Sequence, residues 1–168
     1  MKLWLKEKNK GWKFYEKVVP SDLELRDIKI SDKATVGDWA RVGDGATVGD
    51  WARVGDWAMV GYKATVGDGA MVGDKATVGD GATVGKTIDC IVLGPIGSRE
   101  SMLTGYFVGN EIFIGTGCFY GSIEKFRRAV KEKHGGKKFE QDYLAALVYI
   151  EARLNIARAD KLPAGGVR

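Results

Sequence analysis

Histidine is nearly absent: the 168-residue chain holds one, His134. A site that needs two or three imidazoles is thereby excluded. Two cysteines, Cys90 and Cys118, are too few for a disulfide framework. They fit a reducing compartment, so the expected location is cytoplasmic. No run approaches the roughly 18 apolar residues that a membrane span requires. The opening MKLWLKEKNK is too rich in lysine for a secretory leader. Charge is also sparse, with a formal net of +4, far from the dense basic stripe of a protein that binds extended nucleic acid. It is unevenly spread: residues 1–30 and 99–168 are basic, and residues 31–98 carry 9 acidic against 6 basic side chains. With 45% hydrophobic residues, the chain has enough apolar material for a real core, which rules out disorder as its dominant state.

Glycine is the abundant residue, 24 of 168, about twice its usual share. It recurs in KATVGD, WARVGD, GATVGD, WARVGD, WAMVGY, KATVGD, GAMVGD, KATVGD and GATVGK, a repeat with a period of six. Valine stands at Val36, Val42, Val48, Val54, Val60, Val66, Val72, Val78 and Val84, with alanine two residues before and glycine one after. Alanine and valine two apart share one face of an extended segment, so each hexad predicts a short strand with one buried face. The following Gly-Asp predicts a bend, with glycine supplying a positive φ. Ile28 with Ile30 extends the register upstream, and Ile88 with Cys90, then Gly94 with Ile96, extend it downstream. Twelve hexads then cover residues 27–98. Strands this short cannot form a meander of hairpins, and period six fits no helical stripe. The pattern reads as a solenoid of parallel strands.

The hexad V-G-D-x-A-x resembles the [LIV]-G-x-x-[small]-x signature of the hexapeptide-repeat family. That resemblance implies a left-handed parallel β-helix with triangular coils of three hexads, here four coils of 18 residues. It also implies a homotrimer of parallel prisms. The segments IGSRESMLTGY, GCFYGSIEKFRRAVKEKHG and YLAAL resemble uncharacterised hexapeptide proteins of phages and prophages, which implies a host-cytoplasmic setting.

Eighteen-residue stacking places side chains in columns. Thr47, Thr65 and Thr83 form one; Arg41, Met59 and Thr77 a second; Thr35, Arg53 and Met71 a third. Trp39 stacks under Trp57 with Lys75 above, and Trp51 takes another corner. Outward-facing Trp39, Trp51, Trp57, Met59 and Met71 are the candidate subunit interface, because exposed aromatic and methionine side chains mark interfaces. Asp38, Asp56 and Asp74 make a carboxylate column. Aspartate at a bend commonly bonds its own backbone, so turn chemistry is preferred there over a cation site, and no metal is expected.

The two ends differ from the middle. Residues 1–26 alternate aromatics around Asn9-Lys10-Gly11 and predict a β-hairpin in which Trp4, Trp12, Phe14 and Tyr15 cap the lower end of the solenoid. Residues 99–168 predict a ββαα module: a hairpin of 103–108 and 111–114, a helix from Ile123 to about His134 capped by Ser122, and a helix from about Lys138 to Ala159. Its role is to cap or oligomerise the prism. The whole is mainly β, a parallel β-helix with hairpin and helical caps.

Three functions compete. The hexapeptide resemblance implies acyl transfer from acetyl-CoA or an acyl carrier, normally with a histidine base on a coil, and no histidine precedes His134. The three-histidine zinc centre of the carbonic anhydrases with this fold is excluded. His134 at a helix end suits capping, and Cys118 in GTGCFYG has no assignable base, so neither is a strong catalytic candidate. No cofactor is expected. The preferred reading is a non-catalytic trimer that binds a small phosphorylated or nucleotide-like ligand. Arg41 and Arg53 in grooves between prisms, or Arg99, Arg127, Arg128 and Lys131 with Tyr106 and Tyr120 on the basic module, would supply guanidinium and aromatic contacts. A purely structural spike or spacer is the remaining alternative.

Overall fold

The computed structural model describes residues 2–7, 11–117 and 119–159. It begins with an antiparallel hairpin, β1 (Leu3–Glu7) and β2 (Gly11–Tyr15), and a short helix α1 (Pro20–Glu24). Then come ten strands of two or three residues: β3 (Lys29–Ile30), β4 (Thr35–Val36), β5 (Ala40–Val42), β6 (Thr47–Val48), β7 (Arg53–Val54), β8 (Met59–Val60), β9 (Thr65–Val66), β10 (Met71–Val72), β11 (Thr77–Val78) and β12 (Thr83–Val84). They stack into three parallel sheets, β11-β8-β5, β10-β7-β4 and β12-β9-β6-β3, which form a β-solenoid of about three turns. The predicted columns are in register: Arg41 with Met59 and Thr77, Thr35 with Arg53 and Met71, Thr47 with Thr65 and Thr83. Inside, every alanine and valine of the hexads from Ala40 to Val84 is buried. Each buried valine contributes roughly 1.5–3 kcal/mol, so a coil of three hexads has an apolar centre despite its small side chains.

Two roles in the hexad differ from expectation. The glycine after valine is not the residue with positive φ. A Cβ at Gly37, Gly55 or Gly61 would stand 2.6, 2.5 and 2.6 Å from the amide nitrogen of Asp56, Asp74 and Asp80 in the next coil. Glycine is there so that successive coils can close on one another. The left-handed residue is the one before alanine: Trp39, Trp51, Trp57, Lys63 and Lys75 have φ of 65°, 59°, 61°, 52° and 58°. Nor do the aspartates bond their own turns. Asp38 N donates to Asp56 Oδ1 at 2.8 Å and Asp56 N to Asp74 Oδ1 at 2.9 Å, while Tyr62 N donates to Asp80 Oδ1 at 2.8 Å. Glycine leaves room for the carboxylate of the coil above, and that carboxylate takes up the next amide of the coil below. The V-G-D signature therefore ties one coil to the next.

The solenoid ends sooner than the hexad register suggests. The last two expected hexads, with Cys90 and Ile96 in core slots, make instead a long strand β13 (Cys90–Ile96). This pairs antiparallel with β14 (Ser101–Val108), followed by β15 (Glu111–Thr116) and β16 (Phe119–Ser122). Two-residue alternation gives this sheet two apolar faces. Cys90, Val92 and Tyr106 turn to the solenoid core, and Ile91, Leu93, Leu103 and Phe107 to the opposite side. The sheet is the lid of the solenoid. Tyr106 is fully buried against the last coil, Thr77 N donates to Thr104 Oγ1 at 3.0 Å, and Tyr120 Oη donates to the Asp80 carbonyl at 2.9 Å. Helices α2 (Ile123–His134) and α3 (Lys138–Ala159) cover its outer face, where Phe126, Val130, Leu147, Ile150 and Leu154 are buried. Ser122 caps α2 as expected, accepting from Lys125 N at 3.4 Å.

The hairpin continues one wall of the solenoid at its lower end, where Tyr15 packs against the core. Strand β1 runs parallel to β5, with Trp4 opposite Arg41, and Leu3 and Leu5 enter the core.

Candidate functional site

The turn after β13 is held in place by local geometry. Gly97 has φ 71°, where a side chain would run into the Tyr143 ring, and its amide donates to Asp142 Oδ2 of α3 at 2.7 Å. Glu100 closes the turn at φ 47°. The turn thus presents Ser98 and Arg99 toward α2. Between them lies a cleft of about 200 Å³, with Phe119, Phe126, Ala129, Val130 and Tyr143 lining it together with Ser98, Arg99, Ser101, Thr116, Gly117, Lys133 and His134. Its aromatic rings are packed edge to face, Phe119 on Phe126 at 4.8 Å and Phe126 on Tyr143 at 5.6 Å, with His134 tilted over Tyr143 at 5.6 Å. An apolar floor with cationic and hydroxyl groups around it suits a small anion that carries a flat or apolar body.

Of the residues read from the sequence, Arg99 and His134 meet in this cleft. Among the described residues, the others do not line it. Arg127 contacts Glu151 of α3 and lies 3.9 Å from Glu124, so it clasps the two helices together. Arg128 and Lys131 are exposed on α2 outside the cleft, whereas Lys133 lines it. Lys133 was legible in principle: it stands seven residues after Phe126 and four after Ala129, on one helical stripe. Tyr106 is buried in the solenoid core and Tyr120 ties the lid to Asp80, which removes both from ligand contact at this cleft. Burial pushes the hydroxyls of both tyrosines above their ordinary range, with Asp80 adding to the effect at Tyr120. Arg41 lies 5.9 Å from the Trp4 ring and 5.8 Å from the Trp12 ring, a structural contact of the hairpin. Arg53 is exposed on the β10-β7-β4 face between Thr35 and Met71. Cys118 lies outside the described residues. Cys90 faces the solenoid core from the lid, where burial and the neighbouring Asp89 push its thiol up to about 12, well away from a nucleophile's range.

The candidate interface residues form a second feature. Phe14, Trp39 and Trp57 stack at one corner with centroids 4.4 and 5.3 Å apart and planes within 10°. Trp51 stands on the next corner, 69% exposed. The β10-β7-β4 face, with exposed Arg53 and Met71, lies between the two tryptophan corners. Met59 is half-buried on the neighbouring face. A further apolar surface lies on α3 and takes in Val148, which its spacing in the sequence placed on the buried face of that helix. Val148, Tyr149 and Ile156 of α3 are exposed on the side away from its buried stripe. The signal was present, since a helix apolar on more than one face is commonly buried on more than one side.

Among the described residues, no group of three or more His, Cys, Asp or Glu side chains could hold a metal ion. No described helix is long and apolar enough to cross a membrane. No family model matches the chain, no curated protein matches it, and no solved structure matches it.

Proposed function

We propose that the chain is a non-catalytic binding protein. It assembles as a homotrimer and holds a small phosphorylated, nucleotide-like ligand in the cleft between the β13–β14 turn and α2. The observation that carries this is the convergence of Arg99, Lys133 and His134 over the rings of Phe119, Phe126 and Tyr143. The Arg99 guanidinium and the Lys133 ammonium take a phosphate and the rings take a base. The solenoid serves as a rigid base, with self-association through the tryptophan-flanked β10-β7-β4 face and the apolar side of α3. The phage resemblance of the segment that builds the cleft fits sequestration of a nucleotide in a host cytoplasm.

Calorimetric titration with AMP tests the cleft. Binding should weaken about tenfold in Arg99→Gln or Lys133→Gln, the loss expected for one charge-assisted hydrogen bond. AMP binding that neither substitution changes would overturn the assignment. The position of His134 in the same cleft carries a second reading, acyl transfer with His134 as base. Turnover of acetyl-CoA that disappears in His134→Gln would establish it.

A further inference from the structure

The cleft does not end at the turn. Ser101 and Gly117 line it on one side and, on the other, line a groove of about 570 Å³ together with Lys75, Thr77, Glu100 and Met102. The cleft alone, about 200 Å³, falls below the roughly 300–1,000 Å³ usual for an enclosed small-molecule site. A nucleotide seated there must extend outward, and the shared residues set the direction in which it runs. The charges divide between the two. Arg99 and Lys133, with His134, line the cleft alone, Ser101 and Gly117 line both, and Thr77, Glu100 and Lys75 line the groove alone. The Glu100 carboxylate repels an anion and accepts hydrogen bonds from hydroxyls. The Lys75 ammonium attracts an anion. Lys75 also sits in the left-handed corner slot one coil above Trp57, with its amide bonded to the Asp56 carbonyl at 2.8 Å, so its backbone is fixed.

From this division we infer that cleft and groove together bind one bipartite ligand: a ring-bearing anionic group within, a hydroxylated segment beside Glu100, and a second anionic group at Lys75. This is the chemistry of a dinucleotide rather than of a mononucleotide. The inference rests on the reading of the cleft as a ligand site.

Titration of the full chain with AMP and with the linear dinucleotide pApA separates the two. The expected result is tighter binding of pApA, weakened about fivefold by Lys75→Gln and further by Lys75→Glu, with AMP unaffected by either change. Both substitutions fall on an exposed side chain, and unchanged thermal melting confirms that the fold persists. Equal affinities for AMP and pApA, both insensitive to Lys75, would overturn the groove while leaving the cleft intact. Binding of neither probe overturns the cleft reading, and this one with it.

Discussion

At the scale of single residues, the hexad divides its conformational work between two positions. Gly55 stands where a Cβ would meet the Asp74 amide nitrogen at 2.5 Å and the Gly73 carbonyl carbon at 2.7 Å. Both are backbone atoms of the next coil and cannot step aside. Gly55→Ala should therefore cost about 2–3 kcal/mol, read as a lower urea midpoint. Lys63 has φ 52° in a slot that Gly45 and Gly81 fill in neighbouring coils. Lys63→Gly should stabilise by about 0.5–1 kcal/mol, since glycine enters that region without the Cβ clash. An unchanged midpoint in both variants would remove this division of labour. Asp50 offers a test through pH. Hydrogen bonds from Lys33 Nζ at 2.8 Å and Ser31 Oγ at 2.6 Å hold its carboxyl below the ordinary 3.8. A carboxylate depressed in the folded state stabilises above its unfolded value, and the contribution fades as pH falls through the folded one. The midpoint gap between wild type and Asp50→Asn should thus be present at neutral pH and close below pH 3.8. A gap that persists in acid would contradict it.

At the scale of elements, the period-six placement of valine and alanine was enough to locate the coils, their columns and the Trp39-Trp57 corner, because parallel stacking repeats whatever the period repeats. The helices were equally legible from Ser122, from Gly135-Gly136 and from the apolar spacing of Phe126 and Val130. Three things were not. The stretch 88–97 keeps small and apolar residues in hexad slots, yet without the V-G-D that ties coil to coil it pairs antiparallel with β14 and becomes the lid. The short strand β16 carries no alternation long enough to reveal it. The cleft depends on the Gly97–Asp142 contact, a separation of 45 residues that spacing alone cannot show. Tyr106 is the element-scale test of the lid. Tyr106→Ala should destabilise by about 3–5 kcal/mol, as truncation of a buried aromatic does, and should raise binding of a hydrophobic dye. An exposed ligand-contact tyrosine would show neither change.

At the scale of the whole molecule, three layers stand on one another: a solenoid of parallel strands, an antiparallel lid and a helix pair. The rigid solenoid positions the lid through Thr77–Thr104 and Asp80–Tyr120, and the lid positions the turn that bears Arg99. Exposed tryptophan and methionine on one solenoid face, with Val148, Tyr149 and Ile156 on α3, leave apolar surface that assembly would cover. Native mass spectrometry of the protein purified gently from cells reads assembly and ligand together. The predicted species is three chains of 18.3 kDa carrying a phosphorylated adduct that disappears in Arg99→Gln. A monomer that carries no adduct would contradict both the trimer and the cleft.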